Sequence, residues 1–271
     1  MQALRAPLRP PLKWAGGKRW LLPRLLSLWE PYRDRRLVEP FCGGLAVALG
    51  LRPKRALLND INEHVVQFYR SLQAGLQIEI NMANERQVYD DHRVRFNELL
   101  REGEGQTVEA SSLFYYLNRT GYNGLCRFNS RGEFNVPFGK HRSVAYQDQF
   151  QEYRPTMRRW RFTCGDFAQV KLRDDDFVYA DPPYDVQFTQ YSAKGFDWQD
   201  QVRLAEQLAQ HPGPVVLSNQ ATPRIVELYE QLGYQLLFLQ APRMISCNGD
   251  RSSAREVVAT RGIPERLLRD L

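Results

Sequence analysis

Histidine and cysteine are scarce in this 271-residue chain, four of each, and neither clusters. Cys42, Cys126, Cys164 and Cys247 form no C-x-x-C pair, and His64, His92, His141 and His211 lie far apart. Structural metal sites need ligands at short, characteristic spacings, so no metal is expected and no histidine-based triad suggests itself. The cysteines read as reduced, mostly buried thiols. Long apolar runs are lacking too, since none approaches the ~18 residues of a bilayer span. The opening MQALRAPLRPPLKW is basic, but prolines interrupt it and it has no signal-peptide apolar core. No membrane association is expected, and the cytoplasm is the default location. Internal repeats and low-complexity tracts are missing as well. What remains, 43% apolar and 25% charged residues, is ordinary for a globular protein. The length suits one large domain, or one domain with a substantial insertion.

Charge is present but uneven. Residues 119–161 hold nine basic side chains, among them Arg119, Arg127, Arg158 and Arg159, against three acids, Glu133, Asp148 and Glu152. That excess equals the net charge of the whole chain, +6, so the remainder sums to zero. A local excess of this kind suits a polyanionic partner; the alternative is a solvated basic face.

Two separated regions alternate strands with helices. In the first, Leu37 and Val38 form a short strand ending in Glu39-Pro40-Phe41-Cys42-Gly43-Gly44, followed by a helix over 45–51. A second strand, 55–59, ends at Asp60, and Val65, Val66, Tyr69 and Leu72 then recur at helical spacing. The second region has strands at 161–164, 177–180 and 215–218, a helix over 201–210 and a closing strand pair at 234–240 and 255–260. Thr222-Pro223 reads as an N-cap and first turn, with Gly233 as the stop. A polar loop containing Ser246-Cys247-Asn248-Gly249 joins the last two strands. This alternation predicts an α/β fold, a mostly parallel sheet with helices on both faces. Such sheets bind ligands beyond the carboxyl ends of their strands. Glu39, Asp60, Asp166 and Asp181 all follow a predicted strand end. Four acids on one rim make a site.

Residues 73–153 break the rhythm. A polar helix over 87–101 leads to a Gly-rich turn, then to the aromatic and basic stretch YYLNRTGYNGLCRFNSRGEFNVPFG. Asn123-Gly124 and Arg131-Gly132 are turn signals, which predicts a β-hairpin near 122–139 in an inserted recognition unit. The division is therefore 1–72 with 154–271 as a discontinuous catalytic domain, and 73–153 as the recognition domain.

Lys13-Trp14-Ala15-Gly16-Gly17-Lys18 fails the phosphate-loop pattern, because Leu12 and Arg19 stand where a Gly and a Ser or Thr are needed. A basic loop closing over a carboxylate stays open. The glycines after Glu39 let backbone approach a ligand, yet G-x-G-x-x-G is not formed, so a dinucleotide is disfavoured. Asp60 is placed to accept from ribose hydroxyls, or to cap the next helix, or both.

VYADPPYD carries the chemistry. A strand running into a rigid Pro-Pro turn is the plain reading. The chemical reading starts from a nucleobase amino group, whose lone pair is delocalised into the ring. The Asp181 carboxylate can take one N–H and the Pro182 carbonyl the other, pulling the lone pair onto nitrogen. Both bonds strengthen as positive charge develops. Tyr184 offers a flat face for a base that has left the duplex. No metal and no histidine base are required.

The set KWAGGK, EPFCGG, Asn59-Asp60-Ile61-Asn62, YLNRTGYNGLCRFNSRGEFNVPFG and DPPY, in that order over about residues 13–258, resembles the Dam family of DNA adenine-N6 methyltransferases. Relatives with NPPY or SPPY make DPPY alone less specific than the long recognition stretch. The resemblance implies a Rossmann-like methyltransferase sheet with an inserted helical and β-hairpin DNA-recognition domain. It implies S-adenosylmethionine as donor and double-stranded DNA as partner, with no obligate protein partner. Trp14 and Lys18 would hold the donor's methionyl end with the Glu39, Phe41 and Gly43 loop, and Asp60 its ribose. Asp166 and Phe167 would frame its adenine, while Asp181 spans donor and target base. Tyr122 and Asn123 would wedge into the DNA stack, Arg127, Leu125 and Pro137 would read bases, and Lys13 would contact the outer base pair. Asn129 and Arg119 join the DNA-binding set, Arg119 as a phosphate contact or solvated charge. The implied activity is methyl transfer to N6 of a flipped adenine, in a GATC-like site. The rivals are the same chemistry on another sequence (restriction-linked) or on RNA, and a DNA-binding relative with a dead cofactor site.

Overall fold

Short apolar runs, buried along their whole length, become the centre of the sheet. β1 (Leu37–Glu39), β2 (Ala56–Asp60), β3 (Trp160–Cys164), β4 (Phe177–Ala180), β5 (Val215–Gln220), β6 (Gln235–Ala241) and β7 (Ala254–Arg261) line up in the order β3-β2-β1-β4-β5-β7-β6. The computed structural model describes residues 8–147, 150–185, 195–241 and 254–269. Strands β3, β2, β1, β4 and β5 pair in parallel, and β7 runs antiparallel between β5 and β6. The order reverses between β1 and β4, which opens a crevice above their carboxyl ends.

Alternation along each strand feeds two cores. Leu37, Leu58, Phe177, Tyr179 and Val216 face one side with α1 (Leu22–Trp29), α2 (Ala46–Leu51) and α3 (Glu63–Ala74). Beyond α3 the same core continues into α4 (Arg86–Arg101), α5 (Val108–Thr120) and α6 (Tyr153–Met157). Val38, Leu57, Val178, Ala180 and Leu217 face the other side with α7 (Trp198–Ala209) and α8 (Pro223–Gln231). Helices therefore cover both faces, as expected. Among the described residues no helix is long and apolar enough to cross a membrane.

Several local expectations change. Asn62, not Asp60, caps α3, accepting from the His64 and Val65 N–H groups. Thr222 caps α8 as read, accepting from Ile225 N–H. Helix α5 carries no polar stripe because it is buried on all sides, from Ala110 to Asn118. The predicted hairpin over 122–139 is an antiparallel excursion closed only by isolated bridges, Gly121 to Phe138 and Phe128 to Phe134. Helix α4 takes the backbone groups a ladder would use: Asn97 bonds both peptide groups of Phe134 (2.8 and 3.1 Å), and Tyr89 donates to Val136 O (2.9 Å). Of the described cysteines only Cys42 is fully buried; Cys126 is half-buried, and Cys164 is exposed at the end of edge strand β3. The polar loop holding Cys247 lies outside the described residues.

One buried amide locks the strand ends that form the crevice. Asn59 donates to Pro40 O (3.1 Å) and Gly165 O (2.9 Å) and accepts from Thr163 Oγ1 (2.9 Å). Asn59→Ala leaves the buried Pro40 carbonyl and the half-buried Gly165 carbonyl without this partner, and should lower the unfolding free energy by about 2–3 kcal/mol. Urea unfolding measures this, and a loss below about 0.5 kcal/mol contradicts the lock.

Candidate active site

The carboxyl ends of β1, β2, β3 and β4 bring Glu39, Asp60, Asp166 and Asp181 to one rim. Each acid is held differently. Asp60 accepts from Gly43 N–H (2.9 Å) and Asn62 N–H (3.0 Å), so it shapes the glycine turn beside it. Burial raises its pKa, although those N–H groups and that of Ile61 oppose the shift. Asp166 accepts from Ala168 N–H (2.8 Å) and Arg203 Nη2 (2.9 Å). Burial would raise its pKa, but these partners outweigh burial and hold it low. Glu39 is wholly buried, and burial with the nearby Asp181 charge holds its carboxyl well above the usual range against one Ala48 N–H. Among the described residues its Oε1 meets no hydrogen-bond partner.

Asp181 stands at the switch point after β4, its side chain 20% exposed. Ser218 Oγ on neighbouring β5 donates to its Oδ1 (2.9 Å), and Lys18 Nζ lies 3.0 Å from the same oxygen. Lys18 itself is 3% exposed, also donates to Gly16 O (2.9 Å), and sits 4.7 Å above the Tyr184 ring. Burial and the Asp181 charge raise the Tyr184 phenol well above its ordinary pKa. The Pro-Pro turn is braced from behind, where Gln201 Nε2 donates to Pro183 O (2.8 Å) and Asn219 Nδ2 to Gln201 Oε1 (2.9 Å).

Trp14 lies flat on the glycine turn. A Cβ on Gly43 would come within 2.6 Å of its indole nitrogen, and one on Gly44 within 2.7 Å of its Cβ. Gly43 also has positive φ (41°), which glycine tolerates best. Phe41 and Phe167 form an aromatic wall, ring centroids 5.5 Å apart, that Phe196 joins at 5.5 and 5.7 Å. Arg203 covers Phe167 at 4.4 Å.

The recognition residues join this site through Asn118 on α5. Its amide accepts from Lys13 N–H (2.8 Å) and donates to Lys13 O (2.9 Å) and Gly124 O (3.3 Å). A Cβ on Gly124 would strike the Lys13 side chain at 2.3 Å. Lys13 Nζ donates to Arg119 O (2.7 Å) and lies 3.3 Å from His141 Nε2; burial and then Arg119 lower its pKa. Asn123 and Gly124 both take left-handed backbone, and Leu125 N–H bonds Tyr122 O (3.1 Å). That turn presents Tyr122, 49% exposed, which is therefore no core residue. Pro137 and Arg127 are exposed and Leu125 is half-buried; Arg127 Nε donates to Asn135 Oδ1 (2.8 Å). Asn129 is spent within its own turn, accepting from Arg131 and Glu133 N–H and donating to the Glu133 carboxylate. Arg119 Nη2 donates to Ala145 O (2.6 Å).

Sequence reasoning missed Asn118, Ser218, Arg203, Phe196 and Ile61, the last 70% exposed beside Asp60. Ile61 had a signal, an apolar residue directly after a rim acid. The others act across distant elements and had none. Together the rim offers an aromatic and aliphatic wall, acids for hydroxyls, and a buried carboxylate oxygen lacking a donor. That donor set fits S-adenosylmethionine, with its purine, ribose and α-ammonium. Among the described residues no cluster of potential metal ligands occurs.

Comparison with known proteins gives a consistent picture. A family model described as D12 class N6 adenine-specific DNA methyltransferase matches residues 14–245. The DNA adenine methylase of Vibrio cholerae serotype O1 is 36% identical over 269 residues, covering 92% of this chain and 94% of that protein. The DNA adenine methylase of Escherichia coli (strain K12) is 34% identical over 268 residues, covering 92% and 93%. The DNA N-6-adenine-methyltransferase of Escherichia phage P1 is 34% identical over 265 residues; there the match covers 91% of this chain but 34% of the phage protein, about a third of its length.

Two predictions arise from this geometry. Because the Glu39 pKa is raised on folding, the folded protein binds that proton more tightly, and stability is lost as pH rises from the unfolded value of ~4.3 through the folded one. Glu39→Gln should thus be more stable than the parent above that window and equal to it below, in urea unfolding from pH 4 to pH 8; parallel pH curves would contradict the buried acid. Asn118→Ala strips partners from the buried Gly124 carbonyl and two half-buried peptide groups of Lys13, and should cost about 2–3 kcal/mol and speed tryptic cleavage at Lys13 and Lys18. Unchanged cleavage would show that the amide does not hold the N-terminal loop.

Proposed function

Because this chain belongs to the D12 class of N6 adenine-specific DNA methyltransferases, we propose that it methylates an adenine turned out of duplex DNA at a GATC-like site. The observation that carries this reading is Asp181, fixed at the switch point by Lys18 and Ser218 and followed by a braced Pro-Pro turn. Bound at the carboxyl rim, S-adenosylmethionine supplies an electrophilic methyl on a sulfonium centre. Glu39, Trp14 and Lys18 would hold its methionyl end, Asp60 its ribose, and Phe41, Ile61, Asp166 and Phe167 its adenine.

The chain's own part is to make a poor nucleophile attack. Asp181 accepts one N–H of the target amino group and the Pro182 carbonyl accepts the other. Asp181 is held by Lys18 and Ser218 before the base arrives, and the turn carrying Pro182 is braced through Pro183 O, so little reorganisation is needed as positive charge grows on the nitrogen. Tyr184 supplies the stacking surface, with its ring already under the Lys18 ammonium. The N–C bond would form as the methyl–sulfonium bond breaks to leave a neutral thioether, and the cationic nitrogen would then lose its proton to solvent, so no basic side chain is required in the attack.

Target recognition falls to residues 73–153 with Lys13, and catalysis to 1–72 with 154–271. Tyr122 and Asn123 enter the stack beside the extruded base. Lys13, Leu125, Arg127 and Pro137 contact base edges; Arg119 sits where it can meet a phosphate, and Asn129 shapes the loop that presents Arg127. The enzyme works in the cytoplasm and needs no obligate protein partner.

Methyl transfer to a GATC duplex, beside duplexes changed at one base pair, tests the reading. Asp181→Ala should lower the rate by about 10²–10³-fold or more while DNA affinity stays within about threefold. A parent-like rate would remove Asp181 from its role. Equal transfer to all the altered duplexes would remove the GATC-like site, and calorimetry without S-adenosylmethionine binding would favour an inactive DNA-binding relative.

A further inference from the structure

The basic stretch of residues 119–161 divides in three dimensions. Arg119, Arg127, Arg131, Lys140 and Arg142 lie with the recognition loop. Arg154, Arg158, Arg159 and Arg161 lie on α6, the turn after it and the start of β3, at the amino ends of the strands. Methyl transfer as derived above uses none of these four.

Strand register extends that second patch. Leu37 pairs with Ala56, and Ala56 with Trp160. The preceding residues Arg36, Arg55 and Arg159 therefore line up across three adjacent strands, each step about 4.8 Å. Trp160 Nε1 donates to Pro53 O (2.9 Å), holding the Lys54-Arg55 turn against β3. The nearby acids are engaged elsewhere: Asp34 pairs with Lys54 at 2.6 Å, and Asp176 with Arg36 at 2.5 Å. Asp174 and Asp175 lie before β4, on the far side of β1. Arg55, Arg154, Arg158, Arg159 and Arg161 are exposed, and among the described residues none forms a salt bridge, Glu152 beside α6 included. Five like charges without an internal counter-ion repel one another, and a polyanion relieves that repulsion.

The form of the polyanion follows from what the patch omits. Single strands are held by stacking bases on exposed aromatic rings, and here Trp160 and Phe162 are buried. A duplex backbone needs only cations, and it offers one charge per ~1.7 Å of axis. The recognition loop and this patch sit at opposite ends of the strands, with the length of β2, about 15 Å, between them. The two ends of the sheet face opposite ways, so a straight duplex lying across the carboxyl rim is directed away from the patch. We propose that the amino rim around Arg55, Arg158 and Arg159 is a second, sequence-independent contact surface for duplex DNA. One molecule can then hold a second DNA segment while the first is engaged at the carboxyl rim. This rests on the carboxyl rim being the target-DNA site.

The test uses the full chain with Arg55→Glu, Arg158→Glu and Arg159→Glu combined. Protein loaded on an immobilised short target duplex is challenged with a labelled duplex lacking the target. The parent should capture the labelled duplex in a salt-sensitive way, and the variant at least about tenfold less. The variant should still methylate the short target duplex with kcat/KM within about twofold of the parent, and Lys at the same three positions should keep capture. No capture by the parent, or equal capture by the variant, overturns the proposal. Loss of short-duplex methylation in the variant also overturns it, by placing these arginines on the catalytic DNA path. Capture of polyglutamate in preference to duplex would overturn it in favour of an acidic protein partner. Failure of the parent to methylate the short duplex counts instead against the functional reading, because capture is scored separately.

Discussion

The buried Asn118 amide is the joint on which the site depends. Residues 13–18 touch almost every functional group: Lys13 the recognition turn, Trp14 the glycine turn, Lys18 the Asp181 carboxylate. A segment of that kind has little regular structure to fix it, and side-chain bonds must do so. Asn118 grips both peptide groups of Lys13 and the carbonyl of Gly124 at once. A buried amide pays off only when all its groups are satisfied, and here the partners come from two different functional loops. The Tyr122 turn and the Asp181 rim are thereby referred to one buried reference point.

The four rim acids show how one chemistry is given four tasks. Asp60 and Asp166 are bound by backbone N–H groups, so they fix the shape of the loops beside them. Asp181 is met by a cation and a hydroxyl, which hold it against the exposed turn. Glu39 is buried with a single N–H, and burial with the nearby Asp181 charge raises its pKa well above the usual carboxylate range. Placement along the rim and burial, not residue type, separate these roles.

Much of this was legible in the sequence. Apolar runs ending in an acid marked β1, β2 and β4 and hence the rim, because buried parallel strands leave little freedom of pattern. DPPY marked the turn that follows β4 at the switch point. Helix α5 was not legible, since burial on every side erases the polar stripe that periodicity reads. Ser218, Arg203 and Asn118 were not legible because each acts on a residue more than thirty-five positions away. The basic stretch misled in a different way: continuity in sequence suggested one surface, while β3 carries its second half to the opposite end of the sheet. Cys164 misled for a related reason, as an apolar-looking strand end that happens to lie on the sheet edge.

The irregular recognition loop belongs to the same logic. In a regular hairpin the two arms satisfy each other, and the pair can twist as a unit. Here Asn97, Tyr89 and Arg93 of α4 hold the peptide groups of Phe134 and Val136 from behind. Asn118 of α5 holds the Gly124 end. The loop is thus clamped to two helices as well as to itself, and one of those helices packs on α3, whose start lies beside Asp60. Tyr122, Arg127 and Pro137 stay exposed because their backbone is anchored on the far side. In the wedge role proposed for Tyr122, the loop would push against stacked bases, and its ties into the helical layer would pass that force to the whole core. A free hairpin would yield instead.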